Sequence, residues 1–122
     1  MTKRPEHRLQ CEIVNYLRAN AKPHLVFSST ANGELRHPVV AKRLKDAGLL
    51  PGVSDIFIVL DHGPSCWLEL KSQKGSLTWE QKGFAAKIMA LGHYWGMARS
   101  LPEAVAILKT WNVLKENAEE AA

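Results

Sequence analysis

Only two cysteines, Cys11 and Cys66, occur in the 122 residues, and neither sits in a CxxC pair or a cysteine/histidine cluster. That excludes a disulfide-built scaffold and argues against a zinc site; both thiols are expected to be reduced and partly buried. No apolar run approaches the roughly 18 to 20 residues that span a bilayer, and the opening MTKRPEHRLQCE is too polar for a secretory signal, so a cytoplasmic protein is expected. There is no GxGxxG, and Lys74-Gly75-Ser76 lacks the rest of a phosphate-binding loop. The five histidines (His7, His24, His37, His62, His93) show no HxxxH or HExxH spacing, so surface or core roles suit them better than metal ligation. Internal repeats, low-complexity tracts and Gly/Ser linkers are absent as well.

What is present is ordinary for a folded domain. Hydrophobic residues make up 46% and charged residues 23%, near the globular averages of about 45–50% and 25%. The length suits one domain over residues 1–122, with the Ala/Glu-rich tail from about residue 115 expected to fray. The net charge of +4 is unevenly spread: residues 1–50 carry nine basic and four acidic side chains, residues 51–111 six and five, and residues 112–122 one and three. A basic half fits a polyanionic partner, whose condensed counterions Lys and Arg displace; a merely solubilising surface fits it equally well. Arg36, Lys42, Arg43, Lys45, Lys74 and Lys82 are the candidates for phosphate contacts.

Periodicity orders the elements. Leu9, Ile13, Tyr16 and Leu17 recur at helical spacing and predict a helix over 6–19, with Glu12 on its inward side. A short strand over 24–28 follows. Pro38 opens a basic helix that Gly48 ends, with Val39, Val40, Leu44 and Ala47 expected inward. The run SDIFIVL (54–60) reads as a strand buried on both faces, and DHGPS joins it antiparallel to a strand over 66–71. Thr78 and Gln81 fit a capping box, opening a helix with Phe84, Ile88 and Leu91 as its apolar stripe, stopped by Gly92. A strand over 93–98 follows, and Ser100 with Glu103 starts a last helix running to about Leu114. The order α-β-α-β-β-α-β-α predicts an α/β fold, a mixed sheet flanked by helices.

The hairpin brings charges together. A turn centred near Gly63 sets Asp55 opposite Glu69 or Lys71, and strand alternation puts Glu69 and Lys71 on one face with Leu68 and Leu70 on the other. Two carboxylates held side by side suit a hard divalent cation such as Mg²⁺, and an adjacent ammonium suits a phosphodiester whose charge builds up during attack. A plain Asp/Glu/Lys salt-bridge cluster is the competing reading. Gln81 can serve the capping box and the site together. Trp79 either stacks on a base or packs beside Phe84.

The segments GLLPGVSDIFIVL, LELKSQKGSLTWEQKGF and ALGHYWGMARSLPEAVAIL resemble the virus-type replication-repair nuclease (VRR-NUC) domain of the PD-(D/E)xK nuclease superfamily, over about residues 12–108. The resemblance lies in an ordered set: an early helix glutamate, Pro-Gly-x-x-Asp, Glu-Leu-Lys, Lys-Gly, then a helix glutamine. It implies a restriction-endonuclease-like core. Asp55 and Glu69 would be metal ligands, the Leu70 main-chain carbonyl a third, Lys71 the catalytic lysine, Gln81 the helix glutamine, and Glu12 the early acid, reaching the metal directly or through water. The implied activity is a Mg²⁺- or Mn²⁺-dependent endonuclease acting as a homodimer on branched DNA such as four-way junctions, in repair, within a bacterial or phage-infected cell. A catalytically inactive DNA-binding module on the same fold is the rival. Ser54 departs mildly from the pattern, since many relatives have proline there.

Overall fold

Two strands with opposite directions and one short turn between them organise the centre of the molecule. The computed structural model describes residues 5–30 and 37–121, so the phosphate-contact candidate Arg36 lies outside the described residues. Along the chain the elements are α1 (Pro5–Asn20), β1 (Val26–Ser29), α2 (Pro38–Asp46), β2 (Ile56–Val59), β3 (Ser65–Leu70), α3 (Trp79–Ala90), β4 (Tyr94–Ala98) and α4 (Leu101–Thr110). The order is the one expected. The sheet runs β1-β2-β3-β4. β1 with β2 and β2 with β3 are antiparallel, Ile56 standing opposite Leu68, while β3 and β4 are parallel with Glu69 opposite Met97.

Strand alternation divides the core. Ile56, Ile58, Cys66, Leu68, Leu70 and Ala98 face Leu9, Ile13 and Leu17 of α1 and Ala104, Val105 and Leu108 of α4, and this face is almost entirely sealed. Burying each such aliphatic side chain contributes about 1.5–3 kcal/mol. On the opposite face Trp67 bridges Phe57 and Phe84, with ring centroids 5.5 and 5.3 Å apart, so α3 covers that side through its Phe84 and Ala85. Coverage there is partial. Phe57 is half-buried and Val59 exposed, so β2 is buried on one face and not on both, because α3 does not extend over its far end.

Other expectations need correcting on the same ground, that burial needs a neighbour. α2 forms where expected, but it has no buried residue and packs against no other helix or strand among the described residues. Val39 and Ala47 are exposed, Val40 and Leu44 half-buried, and the stripe predicted to face inward meets no helix or strand among the described residues. Leu91 is exposed because it caps the C-terminus of α3, and Ala85 is buried in its stead. α4 ends at Thr110 with Trp111 as its cap, short of the expected Leu114. Cys66 is buried and free as expected, but Cys11 is exposed on α1. The tail expected to fray is tied to α1: the Lys115 and Glu119 amides donate to the Asn20 carbonyl and Asn20 Oδ1, and the Tyr16 hydroxyl donates to the Glu119 carbonyl.

One turn sets where α3 lies. Gly52 has φ +87°, and a Cβ there would stand 2.2 Å from the Glu80 carbonyl oxygen and 2.9 Å from the Gln81 nitrogen. The Pro51-Gly52 turn thus rests directly on the first turn of α3, a contact that no side chain permits. Gly48, also in the left-handed region at φ +110°, has open space around it. Gly52→Ala is expected to destabilise by about 2–4 kcal/mol, combining backbone strain with the displacement of α3, and Gly48→Ala by only about 1–2 kcal/mol. Urea denaturation of the two variants against the parent checks the difference.

Candidate active site

Charged side chains collect at one end of the sheet, where β3 ends, β2 begins and the N-termini of α1 and α3 arrive. Asp55, just before β2, is half-buried and accepts a 2.7 Å hydrogen bond at Oδ2 from the Leu70 main-chain N–H. This bond continues the β2–β3 pairing past its last regular rung and fixes the carboxylate beside β3. Glu69 is 2% exposed and Lys71 7% exposed. The Lys71 amide donates to the Ala98 carbonyl at 3.0 Å, so backbone pairing with β4 runs past the end of β3.

Gln81 holds Glu69 in place through a chain of hydrogen bonds whose direction is determined. Its main-chain N–H donates to Thr78 Oγ1 at 3.1 Å, and its side-chain Oε1 accepts the Thr78 N–H at 2.9 Å, completing the capping box. With the carbonyl end so used, the amide Nε2 points away from the cap and donates to Glu69 Oε2 at 3.0 Å. Cap and site are served by one side chain.

The other Glu69 oxygen, Oε1, is buried without a hydrogen-bond donor among the described residues. Asp55 lies within hydrogen-bonding reach of that carboxyl, so two acceptors confront each other. Burial, followed by the Asp55 charge and contact, pushes Glu69 up to about 9; Lys71 opposes this and Glu6 adds to it. A buried pair of this kind is favourable only with a shared proton or a cation between its oxygens.

Glu6, not Glu12, is the carboxylate that α1 brings here. Its Oε2 accepts from the Ser72 N–H at 3.3 Å and would stand 3.5 Å from a Cβ at Gly75. Glu12 is exposed. At about 100° per residue Glu6 falls inside the arc of Leu9, Ile13, Tyr16, Leu17 and Asn20, whereas Glu12 falls about 40° outside it, so the helical wheel held the signal. Arg99 was not singled out in the sequence, and local spacing carries no sign of it: its Nη1 donates to the Ser72 and Gly75 carbonyls, 2.6 Å each, pinning the loop that carries Lys74. Ser54 is buried, and its hydroxyl accepts the Trp95 indole N–H at 3.0 Å, a bond that proline at this position would forgo.

Asp55, Glu69, Lys71 and Gln81 are therefore brought together, with Lys74 and Lys82 exposed on the adjoining loop and helix. Lys42, Arg43 and Lys45 stand apart on α2. Among the described residues no group of three or more His, Cys, Asp or Glu side chains converges tightly enough to hold a metal ion by side chains alone. No family model and no curated protein matches the chain. A solved structure described as a VRR_NUC domain protein superposes with a TM-score of 0.68, covering 98% of this chain and 94% of that one at 15% sequence identity. The two share a fold.

Glu69 makes stability depend on pH in a definite direction. Between the ordinary carboxylate value of 4.5 and about 9 the folded, metal-free chain holds a proton on Glu69 that the unfolded chain releases. The stabilisation is complete below 4.5 and is lost as pH rises through about 9. The exposed His24–Asp61 pair acts oppositely, lowering the Asp61 value, but only at acid pH. In EDTA the melting temperature should fall by several degrees from mildly acid to mildly alkaline pH, and Glu69→Gln should flatten that slope in a thermal scan.

Proposed function

We propose that the chain is a metal-dependent DNA endonuclease, a single nuclease-type domain that hydrolyses phosphodiester bonds. The observation that carries this is Glu69: a buried carboxyl with one oxygen lacking a donor, faced by Asp55 and bordered by Lys71. A salt bridge would leave no acceptor bare. An oxygen-rich opening with two carboxylates suits Mg²⁺ or Mn²⁺, which take oxygen ligands and, in the case of Mg²⁺, retain several waters, so two side chains are enough. Asp55 and Glu69 would hold the ion, with the Leu70 main-chain carbonyl as a third donor and Glu6, in the place expected for Glu12, acting through water. When bound, such an ion supplies Lewis acidity toward the phosphate and a water of lowered pKa.

The chain's own groups do the rest. Gln81 keeps Glu69 in one orientation, since its amide cannot turn without breaking the cap. The Lys71 ammonium stabilises charge gathering on the phosphate in the transition state, a contribution of the kind worth about 2.7–4 kcal/mol. Lys74 and Lys82 flank the site as phosphate contacts, with Lys42, Arg43 and Lys45 on α2 as further basic surface. Two carboxylates at the centre of such a surface repel phosphate unless a cation lies between, which disfavours a DNA-binding module without catalysis. We further propose a homodimer acting on branched DNA: Val39 on α2, 60% exposed, and Leu50 in the loop that follows, 54% exposed, are apolar surface that a second copy would shield.

Incubation with single-stranded, duplex, flap and four-way-junction DNA in Mg²⁺ or Mn²⁺, with light scattering on the same samples, tests this. Cleavage should need the metal and disappear in Asp55→Ala and Glu69→Gln, while Lys71→Ala should slow single-turnover cleavage by about 10²- to 10³-fold with Mn²⁺ affinity little changed. Activity surviving in both carboxylate variants would overturn the assignment. Glu6→Gln should reduce cleavage severalfold and Glu12→Gln should not; the reverse result would return the early acidic role to Glu12.

A further inference from the structure

Trp79 is 84% exposed, and no large apolar side chain among the described residues is more so. The other three tryptophans are half-buried, and two of them, Trp67 and Trp95, have their indole N–H groups bonded to serine hydroxyls. Trp79 has no ring partner and no indole hydrogen bond among the described residues. Packing beside Phe84, the bland sequence reading, does not occur: the ring partner of Phe84 is Trp67. As the first residue of α3 it occupies a position that asks for no aromatic side chain, since Thr78 and Gln81 complete the cap without it.

Its surroundings suit a flat ligand. Residues three and four apart share a helix face, so Lys82 and Gly83 stand beside the indole. Lys82 is exposed, and a Cβ built at Gly83 would meet nothing within 4 Å, which leaves the space next to the ring open. Glycine inside a helix costs about a factor of five in helix stability relative to alanine, so this opening is maintained against local propensity. Trp79 belongs to the same first turn of α3 as Gln81, whose amide bonds Glu69, although side chains two residues apart leave a helix on different sides. An indole, an ammonium and clear space on the helix turn that borders the proposed phosphodiesterase site match one ligand, a base attached to a phosphate backbone. A base within a duplex has both faces covered by its neighbours, so the one that stacks here must be unpaired.

We propose that Trp79, with Lys82 and the open space at Gly83, is a stacking platform for an unpaired nucleobase adjoining the phosphate held at the Glu69 site. This rests on the nuclease reading and narrows its substrate to strands with an unpaired or splayed base near the cut. Binding in EDTA, read by fluorescence anisotropy, separates the two ideas, because it requires no cleavage. The probes are a duplex with a short single-stranded flap, the same flap with abasic residues, and a blunt duplex. Trp79→Ala should weaken flap binding about 5- to 150-fold, leave blunt-duplex binding unchanged and make no difference on the abasic flap. Trp79→Phe should restore much of the loss. Equal binding of the flap by parent and Trp79→Ala, an equal loss on all three probes, or no binding by the parent would overturn the platform. A parent protein that shows the stacking pattern but cuts nothing in Mg²⁺ or Mn²⁺ would overturn the nuclease reading and leave the platform in place.

Discussion

The Glu69 carboxyl, buried at the end of β3 with one oxygen bonded and the other bare, is the constraint around which this end of the sheet is arranged. Burying an ionised carboxylate costs several kcal/mol unless its oxygens are satisfied. One oxygen is satisfied by Gln81. The other has no donor among the described residues, and burial together with the nearby Asp55 charge holds a proton on the carboxyl up to about pH 9. A core made only for stability would place an aliphatic residue here, as it does at Leu68 and Leu70 on the opposite face of the same strand.

Holding that carboxyl demands that three separate parts of the chain keep their distances. Asp55 is tied to β3 by the Leu70 amide, α3 is set down on the Pro51-Gly52 turn, and the loop after β3 is pinned by Arg99. These ties share a design: each joins the end of a regular element to a neighbouring backbone, so the site inherits the rigidity of the sheet. Gly52 shows how tightly the parts are set, since a single methyl group would collide with the helix that presents Gln81. α2 lies outside this framework, with a basic side and an apolar side and no helix or strand packed on it among the described residues. A helix with two such sides is suited to meeting another molecule.

Much of the architecture was legible because it follows from local chemistry. The apolar run over 54–60, the strand over 66–71 and the Gly/Pro turn between them gave the antiparallel hairpin and brought Asp55 to the end of β3, and the structure settled the register with Ile56 opposite Leu68. Thr78 and Gln81 specified the start of α3 to the residue. The exposure of α2 and Leu91 was not legible, because an apolar stripe says only what a helix would bury and not whether anything lies against it. That Glu6 lies toward Glu69 was missed for a related reason. Glu12 was placed inward by its position between Leu9 and Tyr16, and not by its angle against the whole stripe.

Sequence by itself determined the element order, the α/β class, the antiparallel hairpin and the gathering of Asp55, Glu69 and Lys71 at one end of it, since periodicity, turn chemistry and strand alternation act over a few residues. Only the tertiary structure decided which acid of α1 approaches the site, that Arg99 clamps the following loop, that Ser54 answers Trp95, and that the indole of Trp79 is bare. Each of these depends on contacts between segments tens of residues apart, or on the lack of one. Such contacts are set by how helices settle on the two faces of the sheet, and a pattern within one segment carries no record of what packs against it.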